Sequence, residues 1–374
     1  MTEAPASPSA IADERPYSPG LAGVVAGETA LSLVDGENGR LLYRGYPIGQ
    51  LVERGGFAQV AELLWTGEWR TDAKLAATPL TPGVESVLRA LPRDAQPMDA
   101  MRTAISAWGA AERLPWPPTV EQARALTAFA PTALAAFGRI RENKDPIPPD
   151  PELPLPSAFL HMLTGERPDE SRVRALDAYF IVAAEHSFNA STFAARVIVS
   201  TRSDLASAIC GAIGALKGPI HGGAPTEVVS QLHEIGSADR AEAWIRAALD
   251  RHERIMGFGH RVYRAYDPRA AALRDVAKSM SDMAEWLDLA VKVEDVALRL
   301  LAERHPERPL KTNVEYYTAA VLQGVKLAPE FYPATFALAR NAGWTAHSIE
   351  QAAADRIIRP DVRYTGPAER DLPG

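Results

Sequence analysis

From Gln50 onward, apolar residues along the chain recur at helical spacing. In VRALDAYFIVAAEHSFNASTFAARVIVST, Val173, Leu176, Phe180, Ala183 and Ala184 fall on one stripe, as expected of helix with one buried face. The clear strand signal lies earlier, in GVVAGETALSLVDGENGRLLYRGYPI, where short β-type runs around Asp35-Gly36 and Asn38-Gly39 predict a small hairpin. The pattern predicts an all-α fold with a small N-terminal β-hairpin. No internal repeat is visible, and no apolar run approaches the length of a bilayer.

Proline and glycine divide the helical pattern. The run DPIPPDPELPLP, Pro146 to Pro156, cannot be helix interior and reads as a stiff surface connection between helices. Lys217-Gly218-Pro219 interrupts the small-residue helix LASAICGAIGAL and suits a hinge. The chain has 374 residues, beyond the size at which one core keeps growing, so two lobes are expected. Residues 219–328 carry helices of their own, and the last helices, FYPATFALARNAGWTAHSIEQAAAD, return to the first lobe.

Composition narrows the function classes. A formal net charge of −7 lacks the basic face that nucleic acid requires. The first 18 residues, rich in Pro, Ser and Ala with no basic start before an apolar stretch, read as a disordered leader rather than a signal peptide, which makes the cytoplasm the expected compartment. The single cysteine, Cys210, has no internal disulfide partner and sits in apolar helical surroundings, so it is expected to be a buried thiol. No C-x-x-C or H-E-x-x-H spacing is present, and no metal is expected.

Four stretches carry chemistry. In KGPIHGGAPTEVV, Gly222 and Gly223 after His221 allow close approach of backbone to a ligand. A helix starting at Pro-Thr-Glu opposes protonation of the imidazole, and a neutral histidine can polarise a carbonyl. The motif alone is equally compatible with a loop histidine satisfied by local backbone. In IMGFGHRVYRAYDPR, Gly257 and Gly259 flank Phe258, His260 follows, and Arg269 comes just after a proline that starts the next helix. The third glycine and preceding strand of a dinucleotide fold are lacking. For any one of these arginines a solvated or structural role is the commoner one. In KTNVEYYTAAVL, Glu315 stands among apolar and aromatic residues that can raise a carboxyl pKa, although a first-turn glutamate also simply complements the helix dipole. His186, in AEHSFNAST, is placed on a long helix near Asn189 and Ser191, where a hydrogen-bonded core histidine is the plain alternative.

Taken in this order, AEHSFNAST, GPIHGGAPTEV, IMGFGHRVYRAYDPRA, NVEYY and RIIRPDVRYTGP resemble citrate synthase, with the resemblance running from Gly20 to Pro367. It implies a two-domain, nearly all-α fold working as a homodimer, with residues 19–218 and 329–374 as the large domain and 219–328 as the inserted small one. The implied reaction condenses acetyl-CoA with oxaloacetate and hydrolyses the citryl thioester. By the motif match His221 stabilises the enolate oxygen, Glu315 is the base and His260 meets the ketone. His186, Arg269 and Arg340 bind oxaloacetate, and Arg359 does so from the partner subunit. Arg254, Ile255, Met256, Gly257 and Phe258 would receive the adenine end of CoA, which is a substrate; no cofactor is implied. The commonest family motif has N-V-D where this chain has Asn313-Val314-Glu315, and the extra methylene moves the carboxylate by up to about an ångström. Two other readings stay open at this point: a 2-methylcitrate synthase using propionyl-CoA, and a CoA-binding paralogue with weakened catalysis.

Overall fold

The turn residues at Asp35-Gly36 and Asn38-Gly39 close an antiparallel hairpin, β1 (Ser32–Asp35) against β2 (Arg40–Tyr43), with Asp35 opposite Arg40. The Asn38 backbone N–H and Nδ2 both donate to the Asp35 carboxylate, at 3.1 and 2.9 Å, which fixes the loop. A two-residue third strand, β3 (Tyr46–Pro47), extends the sheet by pairing with β2; it is too short to leave an alternating pattern in the sequence. Leu41 and Tyr43 point into the core. The loop reaches far along the chain: the Gly36 carbonyl accepts from the Arg264 and Ala265 N–H groups at 2.9 and 3.3 Å. Gly39 has φ +60°, and a Cβ there would lie 2.9 Å from the Tyr266 carbonyl oxygen.

The computed structural model describes residues 16–222, 224–260, 263–280, 284–307, 310–367 and 369–372. Residues 1–15 of the expected leader, and Gly223 of the His-Gly-Gly motif, lie outside them. Sixteen α-helices follow the sheet among the described residues: α1 (Ile48–Arg54), α2 (Phe57–Thr66), α3 (Pro82–Ala90), α4 (Pro97–Glu112), α5 (Val120–Arg141), α6 (Leu155–Thr164), α7 (Glu170–Ala183), α8 (Ala190–Val199) and α9 (Leu205–Leu216) form the first run. The second comprises α10 (Pro219–Gly222), α11 (Ala224–Ile235), α12 (Ala241–Asp250), α13 (Pro268–Lys278), α14 (Ala284–Arg304) and α15 (Val314–Gly324), and α16 (Tyr332–Ala354) closes the chain. The proline-rich segment is extended connection between α5 and α6, with Pro154 at the α6 N-cap and Pro156 in its first turn. The Lys217-Gly218 break separates α9 from α10.

Helix α16 is buried nearly throughout and packs on α2, α5, α7, α8 and α9. Its Ala334, Ala337, Ala339, Ala342 and Ala346 permit the close approach. At Gly343 the chains touch: its N–H donates to the Ala184 carbonyl at 3.1 Å, and a Cβ would sit 2.3 Å from that oxygen. In the second group α11 and α13 pack on α15, α12 packs on α14, and α13 and α15 also meet α7. Cys210 is half-buried rather than buried; its Sγ lies 3.4 Å from the Arg102 carbonyl, and desolvation pushes the thiol up to about 11.

One helix is shorter than its periodicity suggests. Helix α7 stops at Ala183, and His186 stands in the turn before α8 rather than on a continuous helix. Asn189 ends the run locally, its side chain accepting from the Thr192 N–H at 3.0 Å as an N-cap. The apolar stripe runs across the break because both helices bury the same side of the chain, and periodicity alone does not see a cap.

Candidate active site

The α7–α8 turn is held from several directions. The hydroxyl of Tyr43 donates to the Glu185 carbonyl at 2.8 Å, and the Glu185 carboxylate takes bonds from His347 Nε2 and Ser32 Oγ, both at 2.9 Å. His186 is thereby turned toward His260, their rings edge-on with centroids 5.6 Å apart, and its Nε2 lies 3.3 Å from the Tyr263 hydroxyl. The Tyr263 N–H donates to Nδ1 of His260 at 3.1 Å, leaving Nε2 as the nitrogen that carries the proton. Burial first, and then the positive charge of Arg269, depress both imidazoles: His186 well below its ordinary value and His260 to about 4. They are neutral near pH 7.

His221 comes from the other side of the Lys217-Gly218 break. Its Nε2 is 2.9 Å from Ser191 Oγ and 3.4 Å from the Ser191 backbone nitrogen. Ser191 is itself fixed, its hydroxyl 2.7 Å from Asn189 Oδ1 and receiving the Trp344 indole N–H at 3.1 Å. Desolvation and then Arg340 lower the His221 pKa to about 4. The expected neutral histidine is present, but burial and a neighbouring guanidinium produce it, where the sequence had suggested a helix dipole.

Two arginines of this site are almost fully buried. The Asp267-Pro268 pair starts α13, and the Asp267 carboxylate takes Arg269 in a two-point ion pair, 3.1 and 2.8 Å. Burial alone would lower Arg269, but the Asp267 charge outweighs it and the net direction is upward. Arg340 stacks on Phe336, 4.6 Å from the ring centroid, and its Nε donates to the Ala183 carbonyl at 2.5 Å. Among the described residues it has no direct carboxylate partner, and burial pulls its pKa down. Neutral imidazoles thus surround two buried guanidinium groups, one of them paired with Asp267.

Glu315 stands in the first turn of α15. Desolvation raises its carboxyl pKa against the opposing pull of Arg269, and its Oε2 is buried without a hydrogen-bond partner. A small space of about 20 Å³ lies between it, His221 and Arg269, lined also by Tyr179, Val182, Ala183, Val314, Thr318 and Phe336. A void of that size holds roughly one water-sized group.

Next to His260 opens a cleft of about 650 Å³ lined by Arg254, Ile255, Phe258 and Gly259, with His252, Arg304 and His305 at its wall. Gly257 and Gly259 adopt φ +87° and +84°, and a Cβ on Gly257 would strike the Tyr316 ring at 2.5 Å. The loop runs beside the Glu315-bearing segment as a short ladder: Gly259 N–H to Lys311 O at 2.7 Å, Asn313 N–H to Gly257 O at 3.0 Å, and Asn313 Nδ2 to Gly259 O at 2.9 Å. Met256 and Gly257 sit behind the cleft wall, the Met256 peptide being held by the Gln231 side chain.

The citrate synthase C-terminal domain model matches residues 20–361 of this chain. This chain belongs to the citrate synthase family. It is an acyl-transferring enzyme, 42% identical to citrate synthase of Mycolicibacterium smegmatis over 94% of this chain and 96% of that one. It is likewise 43% identical to 2-methylcitrate synthase of Mycobacterium tuberculosis, over 97% and 94%. A solved structure of citrate synthase from Thermoplasma acidophilum, in ternary complex with carboxymethyl coenzyme A and oxaloacetate, superposes with TM-score 0.85 at 28% identity, covering 96% of this chain and 98% of that one. The all-α fold with its small N-terminal sheet is the family fold.

Of the residues singled out in the sequence, His186, His221, His260, Arg269, Glu315 and Arg340 converge on one centre. Arg254, Ile255 and Phe258 line the adjoining cleft. Arg359 does not join them; it is exposed in the tail after α16. Motif reading passed over Asp267, Tyr263 and Trp344. Asp267 carried a signal, the Asp-Pro of a helix start, which is indistinguishable in sequence from an ordinary cap.

Proposed function

We propose that this enzyme condenses acetyl-CoA with oxaloacetate to citrate. The observation that carries the reading is Glu315, a buried carboxylate with one unpartnered oxygen, which lines a small space together with a neutral histidine. With its pKa raised by burial, Glu315 takes a proton from the acyl methyl group, and the ring N–H of His221 meets the thioester oxygen as negative charge develops there. The carbanion attacks the ketone of oxaloacetate, whose oxygen is met by the Nε2–H of His260. The two substrate carboxylates are held by Arg340 and by Arg269, which is already paired with Asp267. Water then hydrolyses the citryl thioester, releasing CoA.

In this reading the 650 Å³ cleft takes the CoA nucleotide against Arg254, Ile255 and Phe258. Residues 219–328 form the small domain, moving at Lys217-Gly218-Pro219 against 19–218 and 329–374. The protein is a cytoplasmic homodimer in which Arg359 reaches the neighbouring site, and it uses no metal and no cofactor beyond its substrates. No described helix is long and apolar enough to cross a membrane.

Acetyl is preferred over propionyl because the space beside Glu315 is only about 20 Å³. One methylene is worth roughly 1–3 kcal/mol in such a pocket, or about 10- to 200-fold in kcat/KM. Thiol release measured with oxaloacetate and either acyl-CoA tests both points. A higher kcat/KM with propionyl-CoA overturns the acetyl preference, and no release with either overturns the reaction.

A further inference from the structure

Glu294, on α14, is only 1% exposed, and nothing in the proposed chemistry uses it. Donors from three separate stretches of chain converge on its carboxylate. Oε1 accepts from Thr312 Oγ at 2.6 Å and from the Tyr266 hydroxyl at 3.2 Å, Oε2 accepts from the Tyr317 hydroxyl, and Arg274 stands 3.7 Å away. Each of these residues adjoins the site. Thr312 lies three residues before Glu315 and Tyr317 two after it, while Tyr266 precedes the Asp267 that grips Arg269. A buried carboxylate is costly unless its acceptor sites are filled, and here hydroxyls fill them, with one part-exposed arginine nearby. Such a group fixes the mutual position of whatever donates to it.

We propose that Glu294 is a positioning residue that sets where the Glu315 carboxylate stands relative to the His260 loop by clamping Thr312, Tyr317 and Tyr266. The proposal rests on Glu315 being the base. Thr312 and Tyr317 bracket Glu315 along the chain, so both ends of its turn are tied to one anion. Tyr266 ties the same anion to the loop that carries the ketone histidine and the diacid arginine. Released from the clamp, the base drifts while the arginines still hold oxaloacetate, and a displacement near 1 Å costs up to about 10²-fold in rate.

The test uses the full-length enzyme with Glu294→Gln, which keeps the volume but removes the charge and one acceptor. Proton transfer is read as deuterium exchange from the acetyl-CoA methyl group beside a non-reacting oxaloacetate analogue, and oxaloacetate binding is read separately. The expected result is exchange and kcat lowered roughly 10- to 100-fold with oxaloacetate affinity within about twofold of the parent. Because the groups act as one unit, Thr312→Val should lower exchange less, and adding it to Glu294→Gln should cost little more. Exchange within twofold of the parent, or a loss matched by an equal loss of oxaloacetate affinity, overturns the proposal. If Glu294→Gln does not fold, Thr312→Val decides alone: unchanged exchange overturns the clamp. Glu315→Gln is run alongside. Exchange that survives it overturns the base assignment and this proposal together, whereas exchange that needs Glu315 but ignores Glu294 overturns this proposal only.

Discussion

Val314 donates its N–H to Oδ2 of Asp267 at 3.2 Å, the oxygen that also receives the Arg269 guanidinium at 2.8 Å. A buried arginine and the first turn of the Glu315-bearing helix α15 thus hang on one carboxylate, which is itself 1% exposed. Arg269 and the first turn of α15 are thereby coupled in position.

Replacing Asp267 with Asn leaves Arg269 buried without its counter-charge. Breaking a buried pair in this way costs about 3–5 kcal/mol, so the ligand-free variant should melt well below the parent. Oxaloacetate returns negative charge to the same place. Its thermal stabilisation of the variant, read by calorimetry, should exceed that of the parent, and an equal or smaller shift would count against the charge argument.

Glu315→Gln keeps shape and removes the proton acceptor, so oxaloacetate should still bind while condensation falls by about 10²-fold or more. Glu315→Asp restores the commoner family residue but shortens the reach by about an ångström, with an expected drop in kcat of up to ~10²-fold. Isothermal binding paired with single-turnover condensation separates the two effects. An aspartate variant as fast as the parent would show that the site is not fitted to the longer side chain.

The pH profile follows from the direction of each shift. Glu315 is raised, so its basic form, and kcat/KM with it, is lost as pH falls through an elevated carboxyl pKa. His221 and His260 titrate at about 4, so no step in kcat/KM is expected near 6.5, where free imidazole titrates. For stability the sign runs the same way. The unfolded imidazoles take up protons below about 6.5 and the buried ones do not until about 4, so folding free energy falls across that interval on acidification. Denaturant melts at pH 7.5 and 5.0, with a His221→Asn comparison, check this; the variant should lose less on acidification.

Arg359 lies in the exposed tail of its own chain. If it completes the neighbouring site, a mixture of inactive Arg359→Ala and His260→Ala chains should regain activity, since a hybrid dimer assembles one site free of both changes. Inactivity despite subunit exchange shown by native mass spectrometry would assign the tail another role.

The helices and the hairpin could be read from periodicity and turn residues, and the six converging site residues from motifs. The third strand could not, because two residues carry no alternation. The position of His186 was misplaced because α7 and α8 bury a common face and only the Asn189 cap divides them. Asp267 and Glu294 were invisible for a different reason. Their importance lies in which donors the fold brings to them, Arg269 and Val314 for one and Thr312, Tyr317 and Tyr266 for the other. An isolated acidic residue on a helix says nothing of that.

The hairpin tip has a kinetic consequence. The Gly36 carbonyl holds the amides of Arg264 and Ala265, midway between His260 and Asp267. Any step of turnover that carries this loop away from the first strands must release both amides to water. Hydrogen exchange at Arg264 and Ala265, followed residue by residue, is therefore a clock for that step. A rate slowed by oxaloacetate would time the opening of the loaded enzyme without a reporter attached to the site.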